Sequence, residues 1–456
     1  MPDSHFSANF SENFTPNFTE NSAEKNSVSR GGEPAFSPLV KNIDICVHNS
    51  TLAQRSSYRY YLLSRFQKAI YSGKFESAGK VSAARCSRVG LPQWIENVDE
   101  TGEVTHERLE KRRDIEVHTY DAEKGTDELK AGYVGLLRCA SPLICPVCSA
   151  KIKAHRSKEI EQGGAAMLRR GYTFAFITFT AAHEYNSASL YDFIQRFNAA
   201  SRDLKAGRQW QEFKARWKLQ HSIRTVETTD DAFNVPAKAR TGWHYHAHTL
   251  AFLERPPLFK AEAHEIENEL SAMWLKALAG VGLQASREHG CRVDMPRTAL
   301  DGKIDSGETL KKLANYIAKT AGYEMSGAAK TGKKGRRISV WELQAAALTT
   351  APEHIPRYAE YVRAVRGIHF NQWSPGLKVF VGLKDITDEE IMRGEAETPL
   401  CIVAPEDMRA VAWQGGQRKL LNKAISDGLN GVLLGLYAAN SGCDIETGEV
   451  LTDDFT

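Results

Sequence analysis

Residues 242–252 read GWHYHAHTLAF and put three histidines, His244, His246 and His248, on alternate positions. An extended backbone turns alternate side chains to the same side. The three imidazoles therefore share one face, and Trp243, Tyr245, Ala247 and Thr249 share the other. Imidazoles gathered a few ångströms apart form a ligand set for a divalent ion. Two or three protein ligands leave coordination positions for a substrate, so the ion can act as a Lewis acid. The predicted ligands are His246 and His248, completed by either His244 or Glu227. Glu227 lies on a neighbouring predicted strand, SIRTVETT (222–229).

A second cluster falls on a predicted helix, ETLKKLANYIAKTAGYEM (308–325). At about 100° per residue, Leu310, Leu313, Ala314, Ile317 and Ala321 form an apolar stripe. Glu308, Lys312, Tyr316, Lys319 and Tyr323 gather on the opposite face. A phenol with a pKa of roughly 10 is a poor nucleophile at neutral pH. A neighbouring ammonium favours the phenolate and offsets the charge that builds on a phosphate in the transition state. Together with the histidine face, the helix defines a reaction. Tyr316 attacks a phosphodiester in line, the 3′-hydroxyl leaves, and a phosphotyrosine keeps the energy of the broken ester for resealing.

A third cluster is sulfur. In RCASPLICPVCSAKI (138–152), Cys145 and Cys148 stand in C-x-x-C spacing, with Cys139 six residues before. Such thiolates share one tetrahedral ion, and the fourth ligand is Cys86 or His155. The implied ion is a structural Zn²⁺ that organises the entry to the sheet and presents Lys151, Lys153 and Arg156 to phosphates. Cys46, Cys291, Cys401 and Cys443 show no pattern.

The elements that must position these groups interleave strands and helices. YTFAFITFT (172–180) is apolar on both faces, as a central strand is. SIRTVETT and WHYHAHTLAFLE (243–254) are the next two predicted strands, and EHGCRVDMP (288–296) is a further edge strand. Helical patterns cover 194–217, 264–282, 308–325 and most of 386–440. The segment 55–98 is helical and basic, and 99–130 is a loop or hairpin. The fold class expected is α+β, with an antiparallel or mixed sheet flanked by helices, a Cys-rich lead-in and a helical C-terminal region. Residues 1–38, with their repeated Asn-Phe-Ser/Thr unit, have too little apolar surface to order and are expected to be a disordered tail. The expected division continues with an N-terminal region at 39–160, a nicking domain at 161–325 and a basic, helical C-terminal region at 326–456.

The 456 residues carry a net charge of only +3, so composition alone announces no nucleic-acid partner. The positive charge is clustered instead. KTGKKGRR (330–337) contributes Lys330, Lys333, Lys334, Arg336 and Arg337. The stretch 194–218 interleaves Arg196, Arg202, Lys205, Arg208, Lys214, Arg216 and Lys218 with Trp210 and Trp217, a mixture suited to single-stranded DNA. No apolar run reaches the roughly 18 residues of a membrane span. With eight scattered cysteines and no signal peptide, the expected compartment is the cytoplasm.

The ordered set FITFT (176–180), GWHYHAH (242–248) and NYIAK (315–319) resembles the three motifs of rolling-circle replication initiators in the HUH endonuclease superfamily. Within it, the chain looks like the plasmid Rep proteins of the single-strand plasmid type, over roughly residues 135–385. RCASPLICPVCSAKI, YEMSGAAKTGKKGRRISVWEL and WSPGLKVFVGLKDITDEEI resemble the flanking segments of that family. The resemblance implies a central antiparallel sheet with the metal strand in its middle and the tyrosine helix across it. It implies His246 and His248 as the HUH pair, His244 as an additional histidine, Tyr316 as nucleophile and Lys319 as its lysine. Mg²⁺ or Mn²⁺ is the implied catalytic ion. The implied partners are plasmid origin DNA, single-stranded or as a hairpin, with host helicase and DNA polymerase, and no membrane. Some initiators carry a glutamate four residues before the tyrosine for the terminating cut; here that position is Lys312, and Tyr323 or Glu308 is the substitute. The rival readings are an HUH relaxase or transposase, and a non-catalytic zinc-containing DNA-binding regulator.

Overall fold

The computed structural model describes residues 52–98, 104–112, 114–121, 129–182, 189–231, 242–255, 260–294, 338–393 and 399–451. The tail at 1–38, the predicted helix at 308–325 and the basic loop at 330–337 lie outside the described residues. So do Glu308, Tyr316, Lys319, Tyr323, Lys330, Lys333, Lys334, Arg336 and Arg337.

The chain folds as α+β. Its main sheet runs β10 (Asn371–Trp373), β6 (Leu219–Asp230), β7 (Trp243–Leu253), β5 (Thr173–Thr180), β8 (Cys291–Asp294), with the short β9 (Ile338–Ser339) also on β6. Every pairing in it is antiparallel. The histidine strand β7 is third of five along the main path, so its backbone is hydrogen-bonded on both sides. Apolar residues on both faces of β5 have the expected outcome: six of its eight residues are buried.

Among the described residues the helices are α1 (Leu52–Tyr71), α2 (Pro146–Arg169), α3 (Leu190–Ala206), α4 (Arg208–Trp217), α5 (Lys260–Gly280), α6 (Val340–Thr349) and α7 (Ile355–Ala364), then α8 (Leu377–Phe380), α9 (Asp388–Arg393), α10 (Pro405–Trp413) and α11 (Gln417–Asn440). The face of β7 that carries Tyr245 packs on α3 and α5. Phe197 of α3 meets Tyr245 and Trp274 edge-on, each with ring centroids 5.0 Å apart. The histidine face is flanked by α2 instead. Trp373 of β10 pairs with Ile223, on the same face as Glu227 and His246, and presses on Gly163 of α2. A Cβ at Gly163 would stand 2.6 Å from the indole, so the approach of helix to sheet requires glycine there.

The single helical stretch expected over 194–217 is two helices. Gly207 adopts an extended conformation between α3 and α4, and the break lets each helix aim its own apolar side, Phe197 and Phe213, at the core. The stretch 55–98, expected to be helical, ends in a strand instead, and the segment 99–130 contributes more: β1 (Pro92–Val98) pairs with β2 (Val104–Arg112), and β3 (Ile115–Asp121) with β4 (Leu129–Val134). A three-stranded sheet β11-β3-β4, completed by β11 (Cys401–Val403), has its own core with α10 and α11, built on Ile115, Val117, Val403, Met408 and Leu420. The larger core draws on residues from Leu63 to Met392, and α2 crosses residue 160 without interruption. Among the described residues, no helix is long and apolar enough to cross a membrane.

Candidate metal centres

Strand register brings the first centre together. Glu227 of β6 lies opposite His246, and Thr178 of β5 lies opposite His248, so the two strands flanking β7 add a carboxylate and a hydroxyl to the histidine face. The Nε2 atoms of His246 and His248 converge on Oε2 of Glu227, at 3.0 and 3.5 Å. One donor atom from each of the three residues lies within 4.8 Å of the others. Two imidazoles and a carboxylate suit a divalent first-row ion, and three protein donors leave positions open. The donor chemistry fits a reactive ion rather than a closed structural one.

The outer contacts orient the rings. Nδ1 of His248 is 3.1 Å from the Thr178 hydroxyl, and its ring stacks on Phe176 with centroids 5.2 Å apart. Nδ1 of His246 is 3.0 Å from Nδ1 of His244. With Nδ1 carrying the proton in these contacts, Nε2 is left as the ligand atom. The choice left open between His244 and Glu227 therefore has a geometric outcome. Glu227 shares the donor cluster, while His244 stands behind His246 on the far side of its ring. Thr178 and Phe176 belong to FITFT, and strand alternation from His248 across the sheet was the signal that could have singled them out.

The end of this sheet is stapled. Arg357 of α7 donates to both oxygens of the fully buried Asp230, at 2.9 and 3.0 Å, and lies 4.0 Å over the Trp243 ring. The backbone N–H of Gly242 donates to Asp231 Oδ1 at 2.7 Å, which closes the approach to β7.

The second centre is at the start of α2. Cys86, Cys139, Cys145 and Cys148 come together, with Sγ separations of 3.5 Å for Cys86–Cys148 and 3.7 Å for both Cys86–Cys145 and Cys139–Cys148. Four thiolates around one ion at about 2.3 Å would be about 3.8 Å apart. The cluster fits a tetrahedral zinc site, and all four sulfurs are in free cysteines. Cys86 takes the fourth position, while His155 faces Glu159 at 3.5 Å. Hydrogen bonds from the Cys139, Cys145 and Cys148 thiols hold the Cys86 thiol well below its usual pKa, and the Arg138 guanidinium acts in the same direction. Burial among the other thiols pushes Cys145 well up.

The cations predicted to meet DNA divide. Lys151 and Arg208 are exposed, Arg208 in an i,i+4 pair with Glu212 at 2.7 Å. Lys214 is half-buried. Lys153 and Arg156 do not face solvent. Both lie on the side of α2 turned into the protein, where Arg156 is held by Glu159 at 2.7 Å and Asp388 at 2.6 Å. Trp217 is also buried, its indole N–H donating to Glu269 at 3.1 Å, which withdraws it from base stacking. Trp210 is half-buried and stacks on Phe213.

No family model and no solved structure matches the chain. Two curated proteins are similar to it. One, named Protein rep, from Streptomyces lividans, is 25% identical over 303 residues, covering 55% of this chain and 65% of that protein. The other, a neomycin resistance protein from Streptomyces cyanogenus, is 29% identical over 140 residues, 26% of this chain and 31% of that one. The chain thus spans less than two thirds of the length of either relative. It is Rep-like in sequence over a little more than half of its own length.

Proposed function

We propose that the chain is a plasmid rolling-circle replication initiator that nicks one strand of origin DNA and later rejoins it. The observation that carries this reading is the open Glu227–His246–His248 cluster across two adjacent inner strands of an antiparallel sheet. The Rep-like similarity and the antiparallel pairing of the histidine strand support it. Mg²⁺ or Mn²⁺ held by these three residues would supply Lewis acidity to the scissile phosphate.

The chain's own groups do the rest. Tyr316 is the nucleophile: its oxygen bonds to phosphorus, the P–O3′ bond breaks, and the released 3′-oxygen takes a proton to become the primer for host polymerase. Lys319 favours the phenolate, and Tyr323 or Glu308 serves the terminating cut. The protein keeps the 5′-phosphate, and host helicase opens the duplex ahead. His244 and Thr178 hold the ligand imidazoles in register. Lys151, Arg208, Lys214 and the basic run Lys330, Lys333, Lys334, Arg336 and Arg337 follow the DNA backbone. The Cys86, Cys139, Cys145 and Cys148 cluster holds a structural Zn²⁺ that anchors α2. The domain plan that accompanies this function is a tail at 1–38, a zinc-bearing region at 39–160, a nicking unit at 161–325 and a basic, helical region beyond.

The test is a covalent-adduct assay with labelled single-stranded origin oligonucleotides and Mn²⁺. The parent chain yields a protein–DNA band carrying the fragment downstream of the break, joined through its 5′-phosphate, while Tyr316→Phe yields none yet still binds the DNA. Full cutting in EDTA, or an unchanged adduct in Tyr316→Phe, refutes the reading.

A further inference from the structure

α2 carries a lysine with no part in the phosphotyrosine scheme. Lys153 is only 7% exposed. Its ammonium lies 5.3 Å from the ring centre of Trp341 and 5.1 Å from that of Phe370. The Phe370 carbonyl accepts the backbone N–H of Val226, the residue before Glu227. The ammonium is thereby held beside the strand that carries Glu227, and it senses that carboxylate's charge. No hydrogen bond or ion pair from Lys153 to another described residue accompanies these ring contacts.

Buried lysines are almost always paired, because desolvating an ammonium is expensive. Two aromatic faces offset part of that cost. Glu227 is the negative charge that acts on Lys153, but its Oε2 is already engaged by His246 and His248. A dication on those three residues adds positive charge to the side where the ammonium already lies. What balances both is an anion that presents one oxygen to each.

We propose that Lys153 is a further catalytic residue, whose ammonium takes one non-bridging oxygen of the phosphate while the ion on Glu227, His246 and His248 takes the other. This rests on the reading of the cluster as a phosphodiester-cleaving site, and it names the anion-binding half of that site. The slot of Trp341 and Phe370 holds the ammonium in place without neutralising it, as an anion site needs.

The decisive experiment uses the full chain loaded with Mn²⁺ and inorganic phosphate as the probe. Mn²⁺ binding is followed by electron paramagnetic resonance, and phosphate binding by broadening of its ³¹P signal. Lys153→Met, which keeps the length and apolar stem, is expected to bind Mn²⁺ at least as tightly as the parent and phosphate at least about tenfold more weakly. Lys153→Arg is expected to retain phosphate within a few-fold. If Lys153→Met does not fold, Lys153→Gln takes its place with the same expectations. Phosphate held equally well without the ammonium, no phosphate binding by the parent, or joint loss of Mn²⁺ and phosphate overturns the proposal. The parent's covalent-adduct assay reports separately. Lys153-dependent phosphate binding without any adduct leaves the anion site standing and removes the nicking function.

Discussion

The cysteine centre and the histidine centre lie in one core, and each has a cation close by. Around the sulfurs, Arg138 donates to Ser87 and, at 3.4 Å, to Tyr60. Burial disfavours its charge, but Tyr60, Cys86 and Cys148 more than offset that, and its pKa is raised. Between Trp341 and Phe370, burial pulls Lys153 down to about 8, and Glu227 opposes this only in part. Four cysteine sulfurs suffice for a tetrahedron, and Cys86 and Cys148 among them favour their neighbour's charge. Two imidazoles and one carboxylate supply three donors, and the carboxylate does not outweigh its neighbour's burial. The difference is between a donor set that could close around an ion and one that would leave coordination positions open.

The largest effect should come from breaking the closed site. Cys148→Ser removes a ligand from a centre that joins Cys86 to the start of α2, and structural zinc contributes directly to folding. We expect loss of bound zinc and a stability loss on the order of 5 kcal/mol, read by metal analysis and chemical denaturation. Unchanged stability would make the four thiols a packing accident. Glu227→Ala should do the opposite at the open site. The melting temperature stays within a few degrees, while Mn²⁺ affinity falls by at least about a hundredfold and adduct formation is lost with it. Zinc content should not change, and a coupled loss would merge the two centres into one.

The two cations sharpen the contrast through pH. The folded pKa of Lys153, about 8, lies below the ordinary lysine value, so its charged form is disfavoured by folding. That penalty is fully present below pH 8 and fades as pH rises towards the unfolded value. Lys153→Met should therefore be more stable than the parent at pH 7, by about 3 kcal/mol at most, with the gain shrinking to nothing near pH 10.5. A pH-independent difference would place its origin in packing. The smallest effect expected is that of Thr178→Val. Losing the hydroxyl against His248 Nδ1 should weaken Mn²⁺ binding about tenfold and leave zinc content and melting temperature alone. Titration of the two proteins side by side measures it.

Much of the histidine face was legible because its cause is local. Strand alternation alone puts His244, His246 and His248 together, and C-x-x-C spacing alone brings Cys145 to Cys148. The sheet likewise followed from apolar runs such as FITFT, whose burial on both faces needs no partner to be named. Trp217 and Arg156 turn inward, although amphipathic helices place aromatic and basic residues on either side with similar patterns. Only packing shows which side turns inward.

Tertiary structure decided the partners. Glu227 rather than His244 joins the donor cluster because β6 pairs with β7 in a register that sets Glu227 opposite His246. Cys86 completes a sulfur cluster whose other members lie more than fifty positions along the chain, and nothing in their spacing points to it. Lys153 turns from a surface cation into a buried one because α2 lays that side on the sheet. The sequence by itself determines which side chains share an element's face, since backbone geometry repeats over two to four residues. Which faces meet depends on contacts closed across long stretches of chain, where register and burial choose the neighbour.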